Sequence, residues 1–390
     1  MSSAGRSKIP LDTVLSSLLF VLFLSGMVML LSASYTPGEI GMGDPYYYII
    51  RQLRHAVLGV AAVIALWKIP YQFWLKLGTP ILIFSIVLLI LVLVPGMGIK
   101  AGGATRWLVF ASIQPSELAK LAVVIYIAKS LSQKGELVNT FSYGFLPHFL
   151  VMIIFVGLIL LEKDLGGALI ISSLIMAMLF VAGLRFIYFI VIALVAVPSL
   201  WGLITLFQYR LSRISGWYDP WSDPQKSGYS IIHSFFAFAS GGITGAGPGA
   251  STQKLSFLPE VHTDYIFSVV GEELGYIGVA AVASLFLCLC CRGLQISRLA
   301  RDLGGFYLAP GLTLVVGLPA FLNMGVALSL WPSKGLPLPF FSYGGSSLVV
   351  SCAAMGILLN IAGQGRLAGQ AAAADRSGSL KDRQTGLTAA

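Results

Sequence analysis

Apolar blocks of about 20 residues recur along this chain, and each is long enough to cross a bilayer core of ~30 Å as a helix. Ten candidate spans follow, at roughly 13–33, 49–67, 77–95, 114–131, 143–162, 164–182, 186–206, 265–290, 306–329 and 343–363. Apolar residues make up 57% of the chain and charged residues 11%, which puts it in the integral membrane class. One bundle of this size needs no separate soluble domain. The expectation is an all-α, polytopic membrane bundle of about ten transmembrane helices over residues 13–363.

Arg6 and Lys8 precede the first span, which lacks a small-residue cleavage pattern and reads as an uncleaved anchor. Ten spans return both termini to one side, so residues 1–12 and 364–390 are expected to be cytoplasmic. The Ala/Gly/Ser-rich tail 364–390 is expected to be disordered. Basic residues are only modestly in excess on that side. The outer segments hold Arg51, Arg54, Lys100, Arg106, Lys163, Arg210, Arg213, Lys226, Lys254 and Lys334. An anionic substrate or anionic lipid headgroups would account for so many. Nothing in the pattern points to nucleic acid. Cys288, Cys290, Cys291 and Cys352 have no second ligand cluster and read as small apolar filler.

Three outer segments are long enough to carry a site: 34–48, the Gly-rich 96–113 with Arg106 and Trp107, and 207–264. The even-numbered spans start from that face, and their helix N-termini favour a phosphate there. Asp264 stands where the longest loop becomes span eight, at the rim between hydrocarbon and water. A general base for a substrate with a lipid tail and a polar head belongs at such a rim. On a helix, Asp264, Ser268 and Glu272 share a face. Glu260, His262 and Asp264, alternating at spacing two, share one side of an extended segment. That trio has metal-ligand chemistry but no specific metal spacing.

Other readings stay open beside these. Asp264 and Asp164, at helix starts, are also natural caps. Glu117 and Lys120 share a face of span four. Intramembrane charges usually face a cavity, and the alternative is a structural ion pair. Arg210 and Arg213 are phosphate clamps or solvated charges. The glycine run 241–249 lacks the preceding strand and the Gly-Lys-Ser/Thr ending of a phosphate loop. The stretch 331–347, with Lys334 and Ser342, is too rich in Pro, Gly and Ser for regular helix. It reads as a re-entrant turn lining a cavity, or as a plain tight connection.

The stretches Gly103-Ala-Thr-Arg106-Trp107, Gln114-Pro-Ser-Glu117-Leu-Ala-Lys120, Asp164-Leu-Gly166, Gln253-Lys254-Leu-Ser-Phe-Leu-Pro259-Glu260-Val-His262-Thr-Asp264, Gly271-Glu-Glu-Leu-Gly275 and Ser342-Tyr-Gly-Gly-Ser-Ser347 together resemble the SEDS family (shape, elongation, division and sporulation proteins of bacteria). Gly271 and Pro332-Ser-Lys334-Gly335 look more like its division-type than its elongation-type members. The resemblance implies the SEDS fold and a peptidoglycan glycosyltransferase that polymerises lipid II at the periplasmic face of the inner membrane, at the division septum. It implies Asp264 as the essential base. It also implies a class B penicillin-binding protein transpeptidase and other divisome membrane proteins as partners, beside lipid II, nascent glycan and membrane lipids. There are departures: Glu162-Lys163 stand where the family has Gln-Pro, and Ser230 and His233 where it has glutamines.

On that reading Asp264 takes the proton of an acceptor 4-hydroxyl, which displaces undecaprenyl pyrophosphate from the growing chain. Burial beside lipid raises a carboxyl's pKa and makes it a better base. Arg51, Arg106, Lys120 and Arg213 would bind the pyrophosphate. Trp107, Glu117, Asp164, Arg210, Glu260, His262, Lys334 and Ser342 complete the substrate-binding set. A divalent cation, Mg or Mn, is compatible but not demanded. The rival is a flippase for the same lipid, which predicts charges at several depths, yet the cores of spans one, three, five, seven and nine carry none. A pure scaffold leaves the intramembrane charges unexplained.

Overall fold

A computed structural model describes residues 9–101, 104–109, 113–205, 208–255, 257–333 and 335–388. The chain begins with α1 (Thr13–Met42), α2 (Tyr47–Lys68), a short α3 (Tyr71–Lys76) and α4 (Gly78–Leu93). An antiparallel hairpin of β1 (Gly98–Ala101) and β2 (Ala104–Leu108) follows, pairing Gly98 with Leu108 and Ile99 with Trp107. Then come α5 (Pro115–Lys134), α6 (Leu146–Leu161), α7 (Leu165–Val181), α8 (Phe186–Thr205), α9 (Gln208–Tyr218) and α10 (Tyr229–Gly241). The last three are α11 (Ile266–Arg298), α12 (Leu303–Ala327) and α13 (Gly345–Thr388).

Every expected span coincides with a helix. Among the described residues, six helical segments are long and apolar enough to cross a membrane: α1, α2, Phe141–Leu161, α11, α12 and Gly345–Ala371. α4, α7 and Phe186–Ser199 are apolar but shorter. α5 is the exception by composition, because Ser116, Glu117, Lys120 and Ser130 would be costly against lipid. Tertiary packing removes that cost: α4, α7, α12 and α13 surround it. From Pro115 to Leu131 only Leu118, Tyr126 and Lys129 escape full burial. The chain is a multi-pass helical membrane protein.

The outer segments are more ordered than their composition suggests. α1 runs through Pro37 and ends only at Gly43, which takes the left-handed conformation (φ 69°). Segment 96–113 holds the hairpin, and 207–264 holds α9, a 3-10 turn at Pro220–Ser222 and α10. α10 forms because Ile231, Ile232, Ser234 and Ala237 bury one face. The α13 backbone continues helically to Thr388. Its alanines carry the highest helix propensity, which needs no core.

The glycine run has a packing purpose. α11 breaks at Gly275 (φ 64°, ψ −163°), and the turn 242–247 docks into the break. There Ala246 and Gly247 N–H groups donate to the Glu272 and Glu273 carbonyls at 2.9 and 3.1 Å. In return Tyr276 N–H donates to the Gly242 carbonyl at 2.9 Å. A broken helix at membrane depth must have its backbone groups satisfied by other protein. Gly245 (φ 86°) cannot be replaced, since a Cβ would meet the Glu273 carbonyl oxygen at 2.1 Å. The Glu272 and Glu273 side chains hold the following segment, residues 251–254, rather than sharing a helix face with Asp264, which precedes α11. Glu272 accepts from Thr252 N–H at 2.8 Å, and Glu273 pairs with Lys254 Nζ at 2.7 Å.

Candidate active site

Asp264 lies two residues ahead of α11, not on it. Its position is set by a turn, in which Thr263 and Asp264 N–H groups both donate to the Glu260 carbonyl, at 3.1 and 2.9 Å. Glu260 takes a left-handed φ of 50°. Residues 260, 262 and 264 thus follow a turn instead of alternating along an extended strand. Glu260 is exposed and Asp264 half-buried. His262 is buried on the α2 side, its ring 4.3 Å from that of Tyr48. Among the described residues no group of three His, Cys, Asp or Glu side chains is placed to hold a metal ion.

The turn is sewn to three other elements. Asn323, buried in α12, donates through Nδ2 to the Asp264 carbonyl at 2.9 Å and to the Leu336 carbonyl at 2.6 Å. Ser342 Oγ accepts from Leu338 N–H at 2.8 Å and donates to the Thr263 carbonyl. Tyr343 N–H donates to the His262 carbonyl at 2.8 Å. Gln52 of α2 holds the other side, donating to the Ser342 carbonyl and accepting from Gly344 N–H, both at 3.3 Å.

The stretch 336–344 is re-entrant. A Cβ on Gly26 would meet the Phe340 carbonyl oxygen at 2.3 Å. Gly26 lies 13 residues into α1, ~20 Å along its axis at 1.5 Å per residue. The turn therefore dips to the middle of the first span, with Phe340 (φ 68°) and Phe341 buried at its tip. On its way it brings Gly335 (φ 65°) beside the acid, where a Cβ would lie 3.4 Å from Asp264 Oδ2.

Charge around the acid is mixed. Burial pushes the Asp264 carboxyl up to about 6, helped by Glu260, while Arg213 and Arg106 pull it down. Arg213 Nη1 donates to the Ser333 carbonyl at 3.1 Å. Arg106, on β2, reaches back to the start of α7. Its Nη2 donates to the Lys163 carbonyl at 3.0 Å and lies 3.8 Å from Asp164 Oδ1. Asp164 caps α7 by accepting from Gly167 N–H at 3.0 Å, so capping and ion pairing coexist there.

The other expected residues make no hydrogen bond or ion pair with the Asp264 turn among the described residues. Glu117 and Lys120 pair at 2.7 Å, both buried within α5. Arg51 stacks over the Tyr47 ring at 4.3 Å, beside a cavity of about 280 Å³ that it lines with Asp44, Ile50 and Arg54. Trp107 is half-buried on β2. Lys334 and the Arg210 side chain lie outside the described residues.

Asn323, Gln52 and Tyr48 escaped the sequence reading. A signal was present for Asn323, a polar residue in the interior of an apolar span, whereas Gln52 stands among Arg51, Arg54 and His55 at the polar start of its own.

A protein of Geobacter metallireducens named probable peptidoglycan glycosyltransferase FtsW is 45% identical over 352 residues, 90% of this chain and 94% of its own. One chain of a peptidoglycan synthase complex, studied for how polymerization and crosslinking are coordinated, superposes with a TM-score of 0.75. It is 30% identical and covers 92% of this chain and 99% of its own. The rod shape determining protein RodA of Thermus thermophilus gives a TM-score of 0.68 at 28% identity, covering 91% and 97%. The family model described as cell cycle protein, FtsW/RodA/SpoVE, matches residues 12–367. The chain belongs to this SEDS family, on its division-type, FtsW-like side.

Proposed function

We propose that this protein polymerises lipid II into glycan strands at the outer face of the membrane, working with a class B penicillin-binding protein during division. The observation that carries this reading is Asp264: a half-buried carboxyl on a braced outer turn, titrating near 6, with Arg213 and Arg106 in electrostatic reach. Asp264 takes the proton of the acceptor 4-hydroxyl as its oxygen attacks the anomeric carbon of the growing chain. The C1–O bond to undecaprenyl pyrophosphate breaks, and the bonding pair leaves with the pyrophosphate. Arginine forks suit that developing charge. The relatives' glycosyltransferase names support the reaction class, and the coupling of polymerization to crosslinking in the similar synthase complex supports the partner class. Both termini are cytoplasmic on this reading; Asp12 and Arg366, 2.8 Å apart, put the start of α1 and the end of the last span on one face.

The test is purified protein in lipid vesicles, with and without the transpeptidase, given lipid II. Glycan strands are expected from the parent and not from Asp264→Asn. Transbilayer movement of lipid II without strands would replace this reading with a flippase.

A further inference from the structure

Glu162 is the residue the site has not used. It follows the last residue of α6, in the outer turn before α7, outside both spanning helices. It is 1% exposed, and among the described residues neither carboxyl oxygen has a hydrogen-bond partner. A buried carboxylate left unpaired is costly, so such a group is carried as the neutral acid. Burial, reinforced by the neighbouring Asp164 charge, pushes it up to about 8, and only Arg106 opposes this.

The charged groups around it are Asp164 at the start of α7, Arg106 on β2 and the exposed Lys163 in its own turn. Arg106 is tethered to that turn through the Lys163 carbonyl, held by a left-handed Lys163 (φ 63°). Its Nε is also buried without a partner among the described residues. While Glu162 keeps its proton, Arg106 answers to one carboxylate, Asp164, and the rest of its field reaches Asp264. Once Glu162 ionises, its charge joins that of Asp164 in drawing on the Arg106 guanidinium.

We propose that Glu162 is a positioning residue that acts only as the neutral acid, leaving Arg106 available to the phosphates of the lipid-linked substrate and withdrawing it when the proton is lost. The inference rests on the reading of Arg106 as a pyrophosphate ligand. Glutamine copies the shape of the neutral acid and cannot ionise, so Glu162→Gln separates the proton from the shape.

The experiment is glycan synthesis from lipid II by the full chain in vesicles, reported for each protein as the rate at pH 9 over its own rate at pH 7. A group titrating near 8 gives the parent a ratio of about one tenth. Glu162→Gln is expected to bring the ratio close to one. Equal ratios in parent and variant overturn the inference while leaving the polymerase reading intact. A parent that makes no strands defeats the polymerase reading itself. Should the variant prove inactive, inorganic pyrophosphate binding to the folded proteins at the same two pH values decides. Greater weakening at pH 9 in the parent than in the variant supports the inference, and equal weakening overturns it.

Discussion

Asp264 shows how one carboxyl is tuned by its surroundings. Its folded pKa, about 6, lies above the ordinary 3.8 because burial and Glu260 outweigh the two arginines. Chemistry that needs the carboxylate then has an acid limb: the rate of glycan synthesis is expected to rise with pH through about 6. A limb near 4 instead would contradict the buried-base account. The sign for stability is opposite. Since folding holds the proton more tightly, ionising Asp264 removes stability as pH climbs from about 4 to about 6. Asp264→Asn, neutral at every pH, is therefore expected to melt at or above the parent temperature at pH 7. Its rate should fall by ~10²–10⁴, the range for a general base. Low activity with a lowered melting point would point to misfolding instead. The sequence located this residue from its rim position, but the turn that raises its pKa was not legible, because Glu260's left-handed backbone has no signature in a non-glycine residue.

At the scale of elements, the site is a junction of the 258–265 turn, the re-entrant 336–344 turn, α12 and α2. Asn323 is its central tie, one side-chain amide serving two carbonyls. Asn323→Ala strands both carbonyls in a buried setting, at a cost of ~1–3 kcal/mol for each unsatisfied group. The expected outcome is a lowered melting temperature together with reduced glycan synthesis, while the acid limb of Asp264 stays visible in the residual rate. Unchanged activity would mean that the junction does not position the base. The re-entrant character of 336–344 was legible from its Pro, Gly and Ser content. The partners of that turn were not, since Gly26, Gln52 and Asn323 are each remote in sequence.

At the scale of the molecule, the face that holds the start of α1 and the end of the last span is closed by Asp12, fully buried and paired with Arg292 of α11 and with Arg366 of α13. Burial raises its carboxyl, but the Arg292 and Leu15 hydrogen bonds and both guanidinium charges outweigh that and leave it below the ordinary value. The sign is now the usual one: this contact stabilises above pH 4 and is lost as pH falls. Asp12→Asn is expected to lower the melting temperature at pH 7, by less than the ~3–5 kcal/mol of a fully buried pair because Arg366 is partly solvated. It should also flatten the acid limb of the melting curve. A variant melting like the parent from pH 3 to 7 would rule the clamp out. The sequence alone determined that this chain is a helical membrane bundle and roughly where each apolar helix lies, because lipid punishes any other use of apolar blocks that long. Only the tertiary structure decided that α5 is enclosed, that the glycine run mends the break in α11, and that Arg106 pairs with Asp164 while its charge reaches Asp264. Those outcomes depend on contacts between segments far apart in the chain, which local pattern does not encode.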